Sequence, residues 1–475
     1  MKKSLLLVVL LFSLSFFLFS CVINDNSEIL TAKYNEYKID LAISDDLKTI
    51  DLAETILVTN NSSETWNEIV INSYANAYRE FATNRAYFSG LNSYGGLDIF
   101  SIKVNNTDAD YTELSNMTST SIKINSVKPT ESLTIDLTGR YLVPECNLRF
   151  GLDDEILNFA DVIPTVACFE NGSWRADNYS RIGDPYFNDL AKYTVNIASP
   201  FNLKIASSGV NSNRSGGADN QSLVTITGDN IRSFGFSASH TFAITSGSTS
   251  SGIQLNYYGK NGTKHDKHIS VAFTALNTFS NLIGNLETKC VSIVENTIYY
   301  DKSVSSNLIF VKSSLSEEAK TDKIVFAIAN LWFGESVGCD MVKTPWISES
   351  ICAYLVDYYY LKTIGKSEFD SRRSSVDKTY ADYVKNKTAD NANYDLSINR
   401  TVYKFSSIHD YTMILHSKGS IMFDTLFKST GAVKFERILK NYFESNKYKF
   451  ATLDSLLKAL QDVSEPTNII TSGIE

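Results

Sequence analysis

Histidine is scarce in this chain: five occur in 475 residues, at His240, His265, His268, His409 and His416. A metal centre built on imidazoles therefore has few positions to choose from. No run of Lys and Arg offsets the formal net charge of -9, which argues against a nucleic-acid surface. The six cysteines form no C-x-x-C pair and no zinc-ribbon spacing. Apart from Cys21 they number five, so at least one is unpaired within the chain. No G-x-S-x-G elbow marks a serine nucleophile, and no internal repeat is present. What remains is a length of 475 residues, enough for two or three domains and a sizeable core, with the 43% apolar and 12% aromatic content of an ordinary globular protein.

The first residues read as an export signal. Lys2 and Lys3 precede the largely apolar run Leu5–Phe19, too short to span a bilayer comfortably. Leu18-Phe19-Ser20-Cys21 is similar to a bacterial lipobox, in which residues 1–20 are cleaved and Cys21 carries the lipid. The alternative is a plain signal peptide with Cys21 incidental. Either way the chain leaves the cytoplasm. The lipobox reading places it in the bacterial cell envelope, held at a membrane through Cys21, with residues 21–34 as a tether.

Residues 35–247 read as β. Tyr37, Ile39, Leu41 and Ile43 alternate strictly, and Asn60–Glu64 is a polar turn between two further strands. More short strands follow, with no long helical pattern, which predicts a large antiparallel sandwich or saddle. The Ser/Gly-rich stretch 246–252 suits a domain linker. Residues 248–475 then read as α+β with a helical end. Apolar residues fall at helical spacing over 272–298, 324–333, 348–364, 416–430, 432–445 and 452–463.

This order resembles the gluzincin zinc aminopeptidases, the family of membrane alanyl aminopeptidase and leukotriene hydrolase. The resemblance rests on "INSYANAYRE" (71–80), on residues 170–209 with their Trp, Gly-Asp-Pro and Pro-ended strand, on Trp332-Phe333-Gly334, and on the closing helices 416–460. It implies a β-rich N-terminal domain joined to a thermolysin-like catalytic domain.

The family's H-E-x-x-H helix holds zinc with two histidines one turn apart, and a glutamate follows on the next helix with eighteen residues between it and the second histidine. With Trp332-Phe333-Gly334 fixing the register, the two histidine positions hold Phe326 and Asn330, and the general-base position holds Ala327. With eighteen residues between, Asn330 is followed by Glu349, the one retained ligand. The oxyanion tyrosine of the family's Tyr-x-Lys-Gly motif is replaced by His416, and "SLSEEAKTD" does not match the segment that grips a substrate's amino terminus. The resemblance thus implies a zinc site whose metal, base and oxyanion groups are lost. No cofactor and no catalytic residue is expected.

Glu349 is expected to cap or pair locally, with Lys418 or Lys343, or to be solvated; a meeting with His416 would give a weak two-ligand site. Lys264–His268 has the look of a solvated turn, with metal binding as the lesser alternative. Cys339 and Cys352 flank Trp346, and a disulfide there would staple the altered region. Trp332 and Phe333 are expected in the core. The function expected is that of a membrane-anchored surface lipoprotein, catalytically inactive, binding a peptide or protein between its two domains and no nucleic acid. The alternative is an active zinc aminopeptidase with a rebuilt metal site.

Overall fold

The alternation at Tyr37, Ile39, Leu41 and Ile43 buries all four side chains on one face of the strand Asn35–Ile43. That strand lies in an eight-stranded sheet of order Val210–Gly216, Gln221–Ile231, Ala191–Pro200, Asn35–Ile43, Thr49–Thr59, Ser132–Leu142, Gly96–Val104, Thr107–Asp108. The computed structural model describes residues 34–80, 93–184, 186–216, 221–260 and 265–475, with no side chains over 213–216. The leader, Cys21 and nearly all of the tether lie outside the described residues. The sheet is antiparallel except where Asn35–Ile43 runs parallel to Ala191–Pro200.

Asn60 closes the predicted polar turn, its amide donating to the carbonyls of Glu64 at 2.7 Å and Val127 at 3.0 Å. The turn carries the chain into a second sheet, ordered Thr165–Val166, Trp66–Asn72, Ser119–Val127, Tyr111–Glu113. A third, four-stranded sheet and the hairpin Phe169–Glu170/Ser173–Trp174 complete the β-rich half. One apolar core, including Tyr141, Phe150, Phe159 and Phe236, fills the space between the sheets.

The Ser/Gly-rich stretch is not a linker. Phe242–Ser248 and Gln254–Lys260 form an antiparallel hairpin, and residues 249–253 are its turn. Thr249 Oγ1 accepts from the Ile253 N–H, and Gly252 takes the left-handed backbone (φ +87°) that the turn requires. The hairpin opens a five-stranded sheet completed by Cys290–Asn296, Leu308–Lys312 and Lys302–Ser305.

Five helices matter for the site: α1 (Asp266–Ile283), α2 (Glu317–Asn330), α3 (Trp346–Thr363), α4 (Lys366–Asp390) and α5 (Gly419–Asn446). The periodic stretch 272–298 is only half helix. It breaks at Gly284 (φ +135°), and Cys290–Asn296 is a fully buried strand with parallel neighbours on both sides. A strand covered on both faces reads as a continuous apolar run and so loses its period-2 signature. Helix α4 escapes the periodicity because only Phe369, Arg373 and Tyr383 are buried along its 25 residues. It is held by ion pairs: Arg372 and Arg373 both reach Asp357 of α3, each at 2.8 Å. Gly431 (φ +73°) bends α5 where the two closing helices were expected to part. The residues from Lys33 onward form one compact unit. No described helix is long and apolar enough to cross a membrane.

Candidate functional site: a zinc-site frame with an internal cation

Helix α2 starts where Ser316 accepts the Ala319 N–H at 3.3 Å, with Glu317 and Glu318 suited to the positive end of the helix. It ends in a π-helical turn, Leu331–Ser336, that carries Trp332, Phe333 and Gly334. Trp332 and Phe333 are buried as expected, and the Trp332 indole donates to the Gly284 carbonyl at 2.8 Å. Phe326, Ala327 and Asn330 are buried on the last turns of α2. The Asn330 amide donates to Ser348 Oγ at 3.2 Å. A Cβ at Gly334 would lie 2.3 Å from that amide nitrogen, so the glycine is what lets Asn330 fit under the π turn.

Glu349 lies in the first turn of α3 and is 2% exposed. His416 comes from a second π turn, Thr412–Lys418, which leads into α5. The two elements approach closely: Ser350 Oγ donates to the Leu415 carbonyl at 2.8 Å, and a Cβ on Gly419 would lie 2.0 Å from Ser350 Oγ. This approach brings His416 Nε2 to 2.5 Å from Glu349 Oε2. The imidazole is 18% exposed and packs against the Phe326 ring at 4.9 Å.

A third group, unforeseen from the sequence, completes the site. Lys302, at the start of the strand Lys302–Ser305, places its ammonium 3.7 Å from Glu349 Oε1 and 4.0 Å from the Phe326 ring centroid. Burial alone would raise the Glu349 carboxyl, but Lys302 first and His416 second hold it well below the usual carboxylate range. Burial lowers His416, against the pull of Glu349. The arrangement is an ionised Glu349, a lysine cation on one oxygen, and a neutral imidazole donating Nε2–H to the other.

Glu349 therefore pairs with neither expected lysine. Lys418 donates to the Leu396 carbonyl at 2.9 Å, and Lys343 lies near Glu170 and Asp340. A carboxylate at this depth needs a partner inside the fold, and Lys302 and His416 are within reach. No disulfide staples the region: Cys339 and Cys352 are both free and buried, Cys339 donating to the Thr344 carbonyl at 3.1 Å. Nor is Lys264–His268 a solvated turn over its described residues. His265 and His268 are buried at the start of α1, where His268 faces Glu317 at 3.3 Å and Glu295 at 3.7 Å.

This donor set does not fit zinc. Phe326 offers no lone pair, and Asn330, whose amide nitrogen donates to Ser348, has only a neutral amide oxygen, a poor ligand for zinc. The facing atoms of Glu349 and His416 bond each other, while an ammonium holds the remaining carboxylate oxygen. Zinc needs three or four nitrogen, sulfur or oxygen ligands around one point. Among the described residues, no cluster of three or more His, Cys, Asp or Glu side chains is arranged to hold a metal.

Comparison with known proteins places this geometry. Residues 268–472 match the peptidase family M1 domain. No curated protein matches. Among solved structures, the M1 zinc metallopeptidase from Deinococcus radiodurans superposes with a TM-score of 0.66 at 12% identity, over 93% of this chain and 94% of that one. A glutamate-to-alanine mutant of it bound to a Tyr-Ser-Ala substrate gives the same score, identity and coverage. The chain thus has the two-domain fold of the M1 zinc metallopeptidases, a β-rich first part followed by a helical second part, and its residues 268–472 match the peptidase family M1 domain.

Proposed function

We propose that this M1-family chain does not hydrolyse peptides and acts instead by binding a peptide or protein at the outer face of a membrane, anchored by lipid on Cys21. The observation that carries the reading is the ammonium of Lys302 beside Glu349. Metallopeptidase chemistry needs a water activated by zinc, whose pKa falls from about 15.7 to roughly 7, and a carbonyl polarised by the same ion. A positioned general base adds about 10²–10⁴-fold. Here the base position is Ala327, the histidine positions are Phe326 and Asn330, and the one retained ligand is neutralised from within. The frame keeps its helices and spacing without the groups that made it reactive.

Two experiments test this. Aminoacyl-anilide hydrolysis by the full chain in detergent, with added zinc and with chelator, is expected to show no turnover in either. Chelator-sensitive turnover would overturn the reading in favour of a rebuilt zinc site at His416 and Glu349. Intact-mass analysis of the chain from bacterial membranes is expected to show a lipid adduct lost in Cys21→Ala, with the variant released to the soluble fraction.

A further inference from the structure

The face of the second sheet carries a groove that shares no residue with the Lys302–Glu349–His416 site. Val70, Ser121 and Thr112 stand in register across its three longer strands, and Glu68 stands opposite Lys123. Beside this face lies the hairpin Phe169–Glu170/Ser173–Trp174, tied down by the Trp174 indole donating to the Glu68 carbonyl at 3.1 Å. Between sheet and hairpin lies a space of about 880 Å³. Its wall is aromatic: Trp66 lies 4.7 Å from Trp174, and Phe169 lies 5.0 Å from Trp174. The indole N–H of Trp66 is buried there without an acceptor among the described residues.

Charge and backbone point to the same occupant. Glu64, Glu68 and Asp110 are exposed along the groove, and none of them forms an ion pair among the described residues. Among the described residues, Lys123 is the one cation lining it. Among the described residues, Tyr111–Glu113 is an edge strand of the sheet with no strand beyond it. The Lys123 N–H reaches the Asp110 carbonyl, and the Leu114 N–H reaches the Ser119 carbonyl. Antiparallel alternation then turns the backbone groups of Tyr111 and Glu113 outward, and Tyr111 is 41% exposed. A free edge accepts an extended chain by main-chain pairing. Carboxylates beside aromatic faces receive lysine and arginine side chains by ion pairing and cation–π contact.

We propose that this groove docks an extended peptide segment bearing lysine or arginine, paired along Tyr111–Glu113 with its cations set between the aromatic wall and Glu64, Glu68 and Asp110. This goes beyond the loss of hydrolysis, and it stands or falls independently of the zinc-site frame.

The test is a tryptophan-fluorescence titration of the full chain in detergent at low salt. The probes are a short peptide of alternating lysine and threonine, the same peptide with alternate residues N-methylated, its glutamate counterpart, and a neutral glucan hexasaccharide. The lysine peptide is expected to bind. Its affinity should fall about tenfold in Glu64→Gln/Glu68→Gln/Asp110→Asn, three exposed charge contacts being removed. It should be unchanged in Asp377→Asn/Asp382→Asn/Asp390→Asn on α4, which removes as many exposed acids elsewhere. N-methylation should abolish binding, and the glutamate peptide and the glucan should not bind. Equal loss in both triple variants, indifference to N-methylation, or binding of the glucan in place of the lysine peptide would each overturn the proposal. A circular-dichroism melt showing both variants folded makes these readings interpretable.

Discussion

The ammonium of Lys302 lies 3.7 Å from the Glu349 carboxylate, although the two residues come from a strand of the five-stranded sheet and from helix α3. In a zinc peptidase built on this frame the glutamate at that position faces a divalent ion. Here a side chain of the chain itself supplies the positive charge, and the Phe326 ring packs under it. The pair explains how a nearly buried carboxylate survives without metal, since an uncompensated one would be expensive.

Breaking that pair should therefore cost stability in a way that depends on Glu349. Lys302→Met keeps the bulk of the side chain and removes its charge, and it is expected to lower unfolding free energy by about 3 kcal/mol. Adding Glu349→Gln should restore most of the loss, because the stranded charge is then gone. Urea unfolding of the two single variants and the double variant measures the coupling. Additive effects would mean that the two groups do not interact.

The same pair sets an acid sensitivity. The folded-state pKa of Glu349 is depressed from the ordinary 4.5 to about 2. Across that window the unfolded chain takes up a proton that the folded chain refuses, so stability is present above 4.5 and falls as pH drops toward 2. Glu349→Gln should lack this component. The difference between wild type and variant, followed by thermal melts across the window, is expected to shrink as the medium is acidified; a constant difference would contradict it.

Glu54 behaves in the opposite sense. It points into the β core at 2% exposure, both carboxylate oxygens lack a partner among the described residues, and burial pushes its pKa well above the usual range. The folded chain then holds a proton that the unfolded chain releases, so the contribution of Glu54 worsens as pH rises above 4.5. Glu54→Gln does not titrate. It is expected to gain in melting temperature relative to wild type as pH moves from 4.5 to mildly alkaline. A gain independent of pH would show that the carboxyl has found a partner.

All five cysteines outside the leader region are free. Burial pushes the Cys146 and Cys339 thiols up to about 12, which leaves little reactive thiolate at neutral pH. Native protein should alkylate slowly, and unreduced, unfolded protein should take up label at Cys146, Cys168, Cys290, Cys339 and Cys352. Mass spectrometry reads the number directly. Two cysteines protected until reduction would restore the disulfide staple.

The sequence was most legible where one physical pattern acts alone. Alternation located Asn35–Ile43 because that strand has one buried face. The zinc-site frame was legible because helix spacing carries Phe326, Asn330 and Glu349 to fixed faces whatever their chemistry. Lys302 was not, because a lysine at a strand end looks like a surface charge until the sheet brings it to α3. Cys290–Asn296, covered on both faces, merged with the helix before it. The five residues around Gly252 looked like a linker because a hairpin turn and a linker draw on the same Ser, Thr and Gly chemistry.

We propose that the internal cation Lys302 closes this site to zinc. Metal content of the chelator-washed full chain, re-equilibrated with zinc and measured by mass spectrometry beside Glu349→Ala and His416→Ala, tests it most directly. Wild type is expected to hold no stoichiometric zinc, with no change in either variant. One equivalent in wild type, lost on either substitution, would contradict it and show that Glu349 and His416 hold a rebuilt metal site.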